Sequence, residues 1–172
     1  MCLYSYDTIA VRAKKRIVTY KSVRKSYRNG YCHCMFISAF RSFTYEGGKL
    51  YYEPLFQREV NNGITARGLV YDGFHSHADV AEAEDECGND YYPATTILRC
   101  EIPRGAYYYK GRSRMGEDLC SDFLIVTGWK DLYEDKWHDI PLEKSRLAIR
   151  LTILKVRLRE MAVYLKSLKS FF

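Results

Sequence analysis

Residues 142–172 read LEKSRLAIRLTILKVRLREMAVYLKSLKSFF, and this stretch contains the clearest periodic pattern in the chain. Large apolar residues recur at alternating steps of four and three, which is the spacing of a heptad seam along one face of a helix. The residues of this seam are Leu147, Leu151, Leu154, Leu158, Met161, Leu165, Leu168 and Phe172. The pattern predicts a basic amphipathic C-terminal helix over 142–172, set apart from the preceding 1–141.

The charges of the chain are divided between regions. Residues 142–172 carry eight Lys or Arg against two acids, so the whole formal net charge of +6 resides there. Within the rest, residues 12–28 hold eight Lys or Arg and no acid, whereas residues 71–98 hold seven Asp or Glu and no Lys or Arg. This dipolar layout favours contacts with a protein partner or a second copy over a uniform nucleic-acid surface.

The basic helix admits several roles. It could pair with another helix, pack on its own sheet, lie on an anionic membrane or bind the phosphates of nucleic acid. The heptad seam and the wide apolar arc around it favour pairing or oligomerisation, and nucleic acid is the less favoured partner. The predicted partner-binding residues are Leu147, Leu151, Leu154, Leu158, Met161, Leu165 and Leu168.

The region before residue 142 is rich in β-branched and aromatic residues. Strands are predicted at 16–23, 31–38, 69–76, 95–102, 106–111 and 120–129. Asn29-Gly30 is a strong turn signal between the first two and predicts a hairpin. With 47% hydrophobic residues the chain can form one real core. We therefore expect an α+β domain over 1–141 with a curved, mainly antiparallel sheet and one short helix, followed by the long C-terminal helix.

The stretch GFHSHADVAEAEDECG, residues 73–88, predicts the short helix. Ser76 with Asp79 has the spacing of a capping box, and Gly88 is a typical helix stop. The helix is expected over 77–87.

Two histidines in this stretch raise the question of a metal site. His75 and His77 lie on the same side of an extended strand, as do Cys32 and Cys34, because strand side chains alternate with period two. If the two strands met, these four residues could bind zinc. A C-x-C pair on a regular strand is a poor zinc spacing, so we expect no metal and no cofactor and keep the four residues as weak metal candidates.

No catalytic or nucleotide-binding motif stands out. The chain contains neither G-x-x-x-x-G-K-[ST] nor G-x-G-x-x-G. Nothing in the sequence joins a nucleophile, a base and an oxyanion donor into one site. We therefore expect a non-enzymatic protein.

The location is predicted from the cysteines and the N-terminus. The first sixteen residues lack a continuous apolar core of the secretory type, and the chain has no run of eighteen apolar residues that could span a membrane. The six cysteines are therefore expected to be free thiols in a reducing cytoplasm.

Several motifs occur together in a familiar order. These are YKSVRKS, YEGGKLY, GFHSHADVAEAE, ILRCEIPRGAYYYKG and DLCSDFLIVTG. The set resembles an uncharacterised group of small proteins from Bacteroidales and their phages, which begin Met-Cys-Leu and share G-F-H-S and I-P-x-G-x-x-Y-Y-x-G motifs. The resemblance covers about residues 1–128. It implies a phage-type or bacterial accessory protein located in the host cytoplasm or the virion.

More remotely, the succession of a strand, G-F-H-S and I-P-x-G is similar to ADP-ribosyltransferase-like domains. That resemblance implies binding of NAD or another nucleotide in a cleft beside His75 and Ser76. The family's catalytic glutamate near the end of the core has no counterpart here, because the E-x-E pattern Glu82-Ala83-Glu84 lies in the predicted mid-chain helix. The favoured function is partner binding or self-assembly through the C-terminal helix; the alternatives are a nucleotide-binding domain and a zinc-binding module.

Overall fold

A computed structural model describes residues 3–5, 9–26, 35–38, 43–55, 57–60, 67–70, 72–87, 94–112 and 116–169. These residues form fourteen strands and two helices. The strands are β1 Leu3–Ser5, β2 Val11–Arg12, β3 Ile17–Ser26, β4 Met35–Ser38, β5 Thr44–Glu46, β6 Leu50–Tyr52, β7 Gln57–Val60, β8 Arg67–Val70, β9 Phe74–His77, β10 Thr96–Ile102, β11 Tyr107–Arg112, β12 Glu117–Ser121, β13 Phe123–Asp131 and β14 His138–Asp139. The helices are α1 Val80–Cys87 and α2 Arg146–Lys169.

The strands form one curved, open sheet in which every described pairing is antiparallel. Its main path runs β14-β13-β10-β3-β9-β12-β11-β1-β8-β7, with β2, β4, β5 and β6 paired at its sides. This confirms the predicted α+β class with one short and one long helix. Antiparallel pairing of β3 with β4 confirms the predicted hairpin, whose turn residues Asn29-Gly30 lie outside the described part.

The two helices pack on different parts of the core. The main cluster contains Leu98, Ile102 and Leu124 from the central strands, and α2 adds Ile149 and Ile153 to it. A separate cluster lies beneath α1 and contains Ala83, Cys87, Ala94 and Ile97. Both helices are therefore held by apolar side chains, although α1 is short and acidic.

Two predicted strands are interrupted in the structure. The strand expected over 69–76 is divided into β8 and β9, and Gly73 between them has φ of +100°. The strand expected over 120–129 is divided at Asp122, whose carboxylate accepts the Tyr107 N–H at 2.9 Å. In each case the backbone bends within one predicted strand, and the two halves become two strands at different positions in the sheet.

The start of the short helix also differs from the prediction. Asp79 caps α1, because its Oδ1 accepts the Ala81 N–H at 2.9 Å. Ser76 stays in β9 and donates its hydroxyl to the Leu119 carbonyl at 3.5 Å. The predicted capping box of Ser76 with Asp79 is therefore wrong, and the helix begins at Val80 because His77 belongs to the sheet.

The cysteines that the structure describes are free thiols, as the sequence predicts. Cys87, Cys100 and Cys120 are buried free thiols. Burial raises the pKa of the Cys100 thiol to about 12. Among the described residues no helix has the length and apolar character needed to cross a membrane.

Candidate functional site

The first half of α2 is attached to the sheet. The Ser145 hydroxyl accepts the Ala148 N–H at 3.3 Å and so caps the helix. Ile149 and Ile153 are buried, and Arg146 donates to both carboxylate oxygens of the buried Glu101 at 2.7 and 3.0 Å. These contacts fix the direction in which the helix leaves the domain.

Arg157 attaches the middle of α2 to the domain. It donates to the buried carboxylate of Asp122, and its guanidinium lies 4.2 Å from the centre of the Tyr107 ring. Burial raises the pKa of Asp122, and the hydrogen bond from Arg157 offsets only part of that rise. From Leu158 to Leu168 every residue of α2 is exposed, and Tyr52 of β6 donates its hydroxyl to Glu160 in this half of the helix.

The seven predicted partner-binding residues, which we call the α2 stripe, all lie on α2 and are exposed. They are Leu147, Leu151, Leu154, Leu158, Met161, Leu165 and Leu168, with exposed fractions between 67% for Leu147 and 40% for Leu168. On a helix of 3.6 residues per turn the stripe lies nearly opposite Ile149 and Ile153. The apolar face of α2 that meets the core and the apolar face that meets solvent are thus two different faces.

A cavity of about 640 Å³ lies between α2 and the turn after β10. Four arginines line it, namely Arg12, Arg104, Arg150 and Arg157, together with Tyr107 and Gly105. Among the described residues Arg12, Arg104 and Arg150 form no ion pair. Glu160 also lines the cavity and pairs with Arg157, so the net positive charge of the cavity comes from Arg12, Arg104 and Arg150.

A second feature is a cluster of charged side chains buried where α1 crosses the sheet. The His77 ring stands between two carboxylates, with Nδ1 at 2.7 Å from Asp118 Oδ1 and Nε2 at 2.9 Å from Glu86 Oε2. All three residues are buried. Burial lowers the pKa of His77, but the hydrogen bonds to Asp118 and Glu86 outweigh it and raise the pKa to about 9.

Strand β3 supplies the next layer of this cluster. Ser22 donates its hydroxyl to Glu86, and Lys21 donates to the His75 carbonyl. Burial would raise the pKa of Glu86, but hydrogen bonds from His77 and Ser22 outweigh it and lower that pKa. Burial lowers the pKa of the Lys21 ammonium.

Glu82 closes the cluster from α1. Its Oε1 accepts the Glu117 N–H at 3.0 Å, while its Oε2 is buried and has no hydrogen-bond partner among the described residues. A Cβ at Gly116, where φ is +148°, would collide with the Glu82 carboxylate, so only glycine permits this approach. One ligand atom from each of His77, Glu82 and Asp118 lies within 4.8 Å of the others.

The predicted metal and cofactor candidates are only partly brought together. Cys32 and Cys34 lie outside the described residues. His75 is half-buried two residues before His77 on β9, and Ser76 between them is buried against Leu119. The arginine cavity, and a second cavity of about 610 Å³ between Tyr52, Val163 and Tyr164, both lie against α2 rather than beside His75 and Ser76.

Sequence reasoning missed Asp118 and Glu86 as partners of His77, and Lys21 as the cation near both carboxylates. A signal did exist for two of them. Asp118 directly precedes the apolar pair Leu119-Cys120, and Glu86 lies next to Cys87 on the buried side of an otherwise acidic helix. A charged residue at a buried strand or helix position usually has a charged partner.

Comparisons of the chain with protein-family profiles, with curated proteins and with solved structures gave no match.

Proposed function

We propose that this protein has a non-enzymatic accessory role and assembles with a second copy of itself through the α2 stripe. The observation that carries the proposal is an apolar stripe exposed along the whole of α2, of which Leu154 and Met161 also border the arginine cavity. Monomeric soluble proteins rarely expose a continuous apolar patch larger than a few hundred Å². A stripe of this length on a helix of 24 residues, about 36 Å long, is typical of a surface that another helix covers.

Charge favours an antiparallel arrangement of the two copies. In a parallel, in-register pair the heptad places Arg150 opposite Lys155 of the second copy, and like charges there repel. In the antiparallel register that sets Leu158 beside the second copy's Met161, Lys155 faces Ala162 and Arg157 faces Tyr164. The antiparallel pair therefore buries the stripe without opposing two cations.

The position of the domain supports the same arrangement. In the antiparallel register the exposed half of one α2, after Leu158, lies along the attached half of the other. The exposed half of each α2 thus covers the exposed face of the attached half of the other copy's α2. The pair is two-fold symmetric and closes on itself, so it yields a dimer rather than a filament.

The test is the solution mass of the full chain by light scattering. We expect twice the chain mass of 20.2 kDa for the wild type and 20.2 kDa for the double variant L158S/L165S. Both leucines are more than half exposed in the single chain, so the variant should keep its fold, which circular dichroism checks. The matched control is Y133S, at a 93% exposed aromatic residue in the turn after β13, which should stay dimeric. A monomeric wild type, or a dimeric L158S/L165S, would contradict the proposal.

A charge variant distinguishes the two orientations. Lys155→Glu should strengthen a parallel pair, where it would face Arg150, and should change an antiparallel pair little, where it faces Ala162. We expect no gain in dimer affinity by sedimentation equilibrium. A clear gain would overturn the antiparallel register while leaving the dimer intact.

The arginine cavity favours a second candidate function, which is binding of a phosphorylated small molecule such as a nucleotide. Its volume lies in the usual range for ligand sites, and planar guanidinium groups suit phosphate. Isothermal titration with NAD and ATP should show binding that Arg104→Ala weakens and that Lys144→Ala, an exposed cation outside the cavity, does not. Absence of heat at millimolar ligand would remove this candidate.

A further inference from the structure

We propose that His77, Glu82 and Asp118 form a binding site for a divalent transition-metal ion of the zinc class, which joins α1 to strands β9 and β12. The site is separate from the α2 stripe and does not depend on the proposed dimer. It also differs from the ligand set expected from the sequence, of which it keeps only His77.

The three side chains converge from three elements. His77 is the last residue of β9, Asp118 lies opposite it on β12, and Glu82 reaches over from the first turn of α1. Their ligand atoms lie within 4.8 Å of one another, close enough to share one ion. Imidazole nitrogen and carboxylate oxygen are both ligand atoms that zinc binds, and three protein ligands leave the fourth tetrahedral position for water.

Two unsatisfied acceptors belong to this cluster. Glu82 Oε2 and Asp118 Oδ2 are both buried and have no hydrogen-bond donor among the described residues. Asp118 is fully buried, so its orphaned oxygen is costly unless a cation or donor meets it. A metal ion bound between Glu82 and Asp118 would satisfy both oxygens at once.

The outer partners of His77 have the arrangement that metal-binding histidines usually show. Glu86 accepts a hydrogen bond from Nε2 at 2.9 Å, which leaves Nδ1, the nitrogen facing Asp118, as the ligand atom. Ser22 in turn donates to Glu86 and holds it in place. A carboxylate on the second ring nitrogen orients the imidazole and makes it a stronger ligand.

The charge balance of the cluster favours a divalent cation. Glu82, Glu86 and Asp118 contribute three negative charges, and Lys21 contributes one positive charge. With His77 neutral, a divalent ion makes the sum zero, whereas a protonated His77 in its place leaves one negative charge unbalanced. Buried charge is most stable when it is balanced locally.

The ligand types select the ion. Calcium and magnesium prefer sites made of oxygen alone, whereas imidazole suits zinc and its neighbours. At a tetrahedral zinc with bonds of 2.0–2.1 Å, two ligand atoms stand about 3.3 Å apart. Nδ1 and Asp118 Oδ1, now 2.7 Å apart, would separate by a few tenths of an ångström to admit the ion.

The test measures zinc binding to the full chain after treatment with a chelator. We expect about one zinc ion retained per chain after dialysis and a higher melting temperature in zinc than in magnesium. Glu82→Gln, on a partly exposed residue that the fold tolerates, should weaken zinc binding at least about tenfold. The control Asp85→Asn makes the same charge change at an exposed position of α1 and should bind zinc as the wild type does.

Cobalt distinguishes this site from a cysteine site. Cobalt bound by His77, Glu82 and Asp118 should show weak visible bands and no thiolate-to-cobalt charge-transfer absorption, because none of the ligands is sulfur. Strong charge-transfer absorption that persists in Glu82→Gln would place the metal on cysteines and overturn the proposal. So would a wild-type chain that retains no zinc.

A pair of glycine variants tests the approach of Glu82. Gly116→Ala should weaken zinc binding, because the new methyl group displaces the Glu82 carboxylate. Gly105→Ala introduces similar backbone strain, at φ of +96°, but its methyl group meets nothing nearer than 3.7 Å. Equal zinc affinity in the two variants would contradict the assigned role of Glu82.

Discussion

The two helices of this protein differ in what they bury. Helix α1 has eight residues, is acidic, and turns Glu82 and Glu86 inward to His77. Helix α2 has 24 residues, is basic, and leaves its α2 stripe in solvent. One helix thus buries charge and the other exposes apolar surface, each the reverse of the usual arrangement.

The difference indicates where the partner groups of each helix must lie, which are charged or polar groups for α1 and apolar groups for α2. A buried carboxylate needs a positive or hydrogen-bonding partner beside it, because an unbalanced charge in the core destabilises the fold itself. Within the chain these partners of α1 are His77, Lys21 and Ser22, and the proposed metal ion would balance the remaining negative charge. An exposed apolar stripe leaves the fold intact, so its complement can come from a second copy.

The largest expected effect comes from removing the cation of the buried cluster. His77→Leu leaves Glu86 and Asp118 buried without the group that donates to both. Breaking a buried ion pair from one side costs about 3–5 kcal/mol, and we expect about 4 kcal/mol here in urea denaturation.

The matched control is His138→Leu. His138 is half-exposed, stacks on Trp129 and lies 3.5 Å from the exposed Glu134, so its loss should cost about 1 kcal/mol or less. Equal losses in the two variants would show that the buried cluster does not stabilise the fold.

The pH dependence of stability is the next largest effect. In chelator, the folded chain holds the His77 proton with a pKa of about 9, whereas the unfolded chain releases it near 6.5. The contribution of this proton is complete below pH 6.5 and is lost as the pH rises through 9, which amounts to roughly 3 kcal/mol.

The groups that face His77 are Glu82 and Glu86 from α1, Asp118 from β12 and Lys21 from β3. Lys21 acts in the opposite direction at high pH, because burial makes its ammonium easier to deprotonate in the folded chain. The measurement is therefore the difference between wild type and His77→Leu in urea at pH 6.5 and 9. If the free energy of unfolding changed equally with pH in the wild type and in His77→Leu, this prediction would be wrong.

The smallest expected effect concerns α2 and salt. Pairing two basic helices brings positive charges together, and salt screens their repulsion. Raising sodium chloride from about 0.05 to 0.5 M should lower the dimer dissociation constant about threefold, measured by sedimentation equilibrium. If α2 docked instead on the acidic α1 of another copy, salt would weaken the assembly.

The fold was predictable where one period dominated the sequence. The spacing of four and three places the α2 stripe on one helix, and the structure confirms a helix over Arg146–Lys169. The strand boundaries were less predictable, since Gly73 and Asp122 bend the chain inside continuous apolar runs. Such bends depend on hydrogen bonds to distant residues, which local periodicity does not record.

The buried cluster was predictable only in part. His77 stood out in the sequence, but its partners Asp118 and Glu86 come from separate elements that meet only after the sheet forms. The Ser76–Asp79 spacing was misleading for the same reason, because pairing of β9 with β12 keeps Ser76 in the sheet. Which acid meets which histidine is set by strand order, and strand order is a tertiary property.

The central place of β3 has a consequence for how the chain folds during synthesis. Strand β3 is made early, and β4 can pair with it at once as a hairpin. Its other neighbours, β9 and β10, leave the ribosome much later, with Ile17 pairing with Ile102. Sheets built from such distant pairings fold slowly. Lys21 and Ser22 therefore stay exposed to water until α1 and β9 have been made, and α2 follows the strands that form the surface for Ile149 and Ile153.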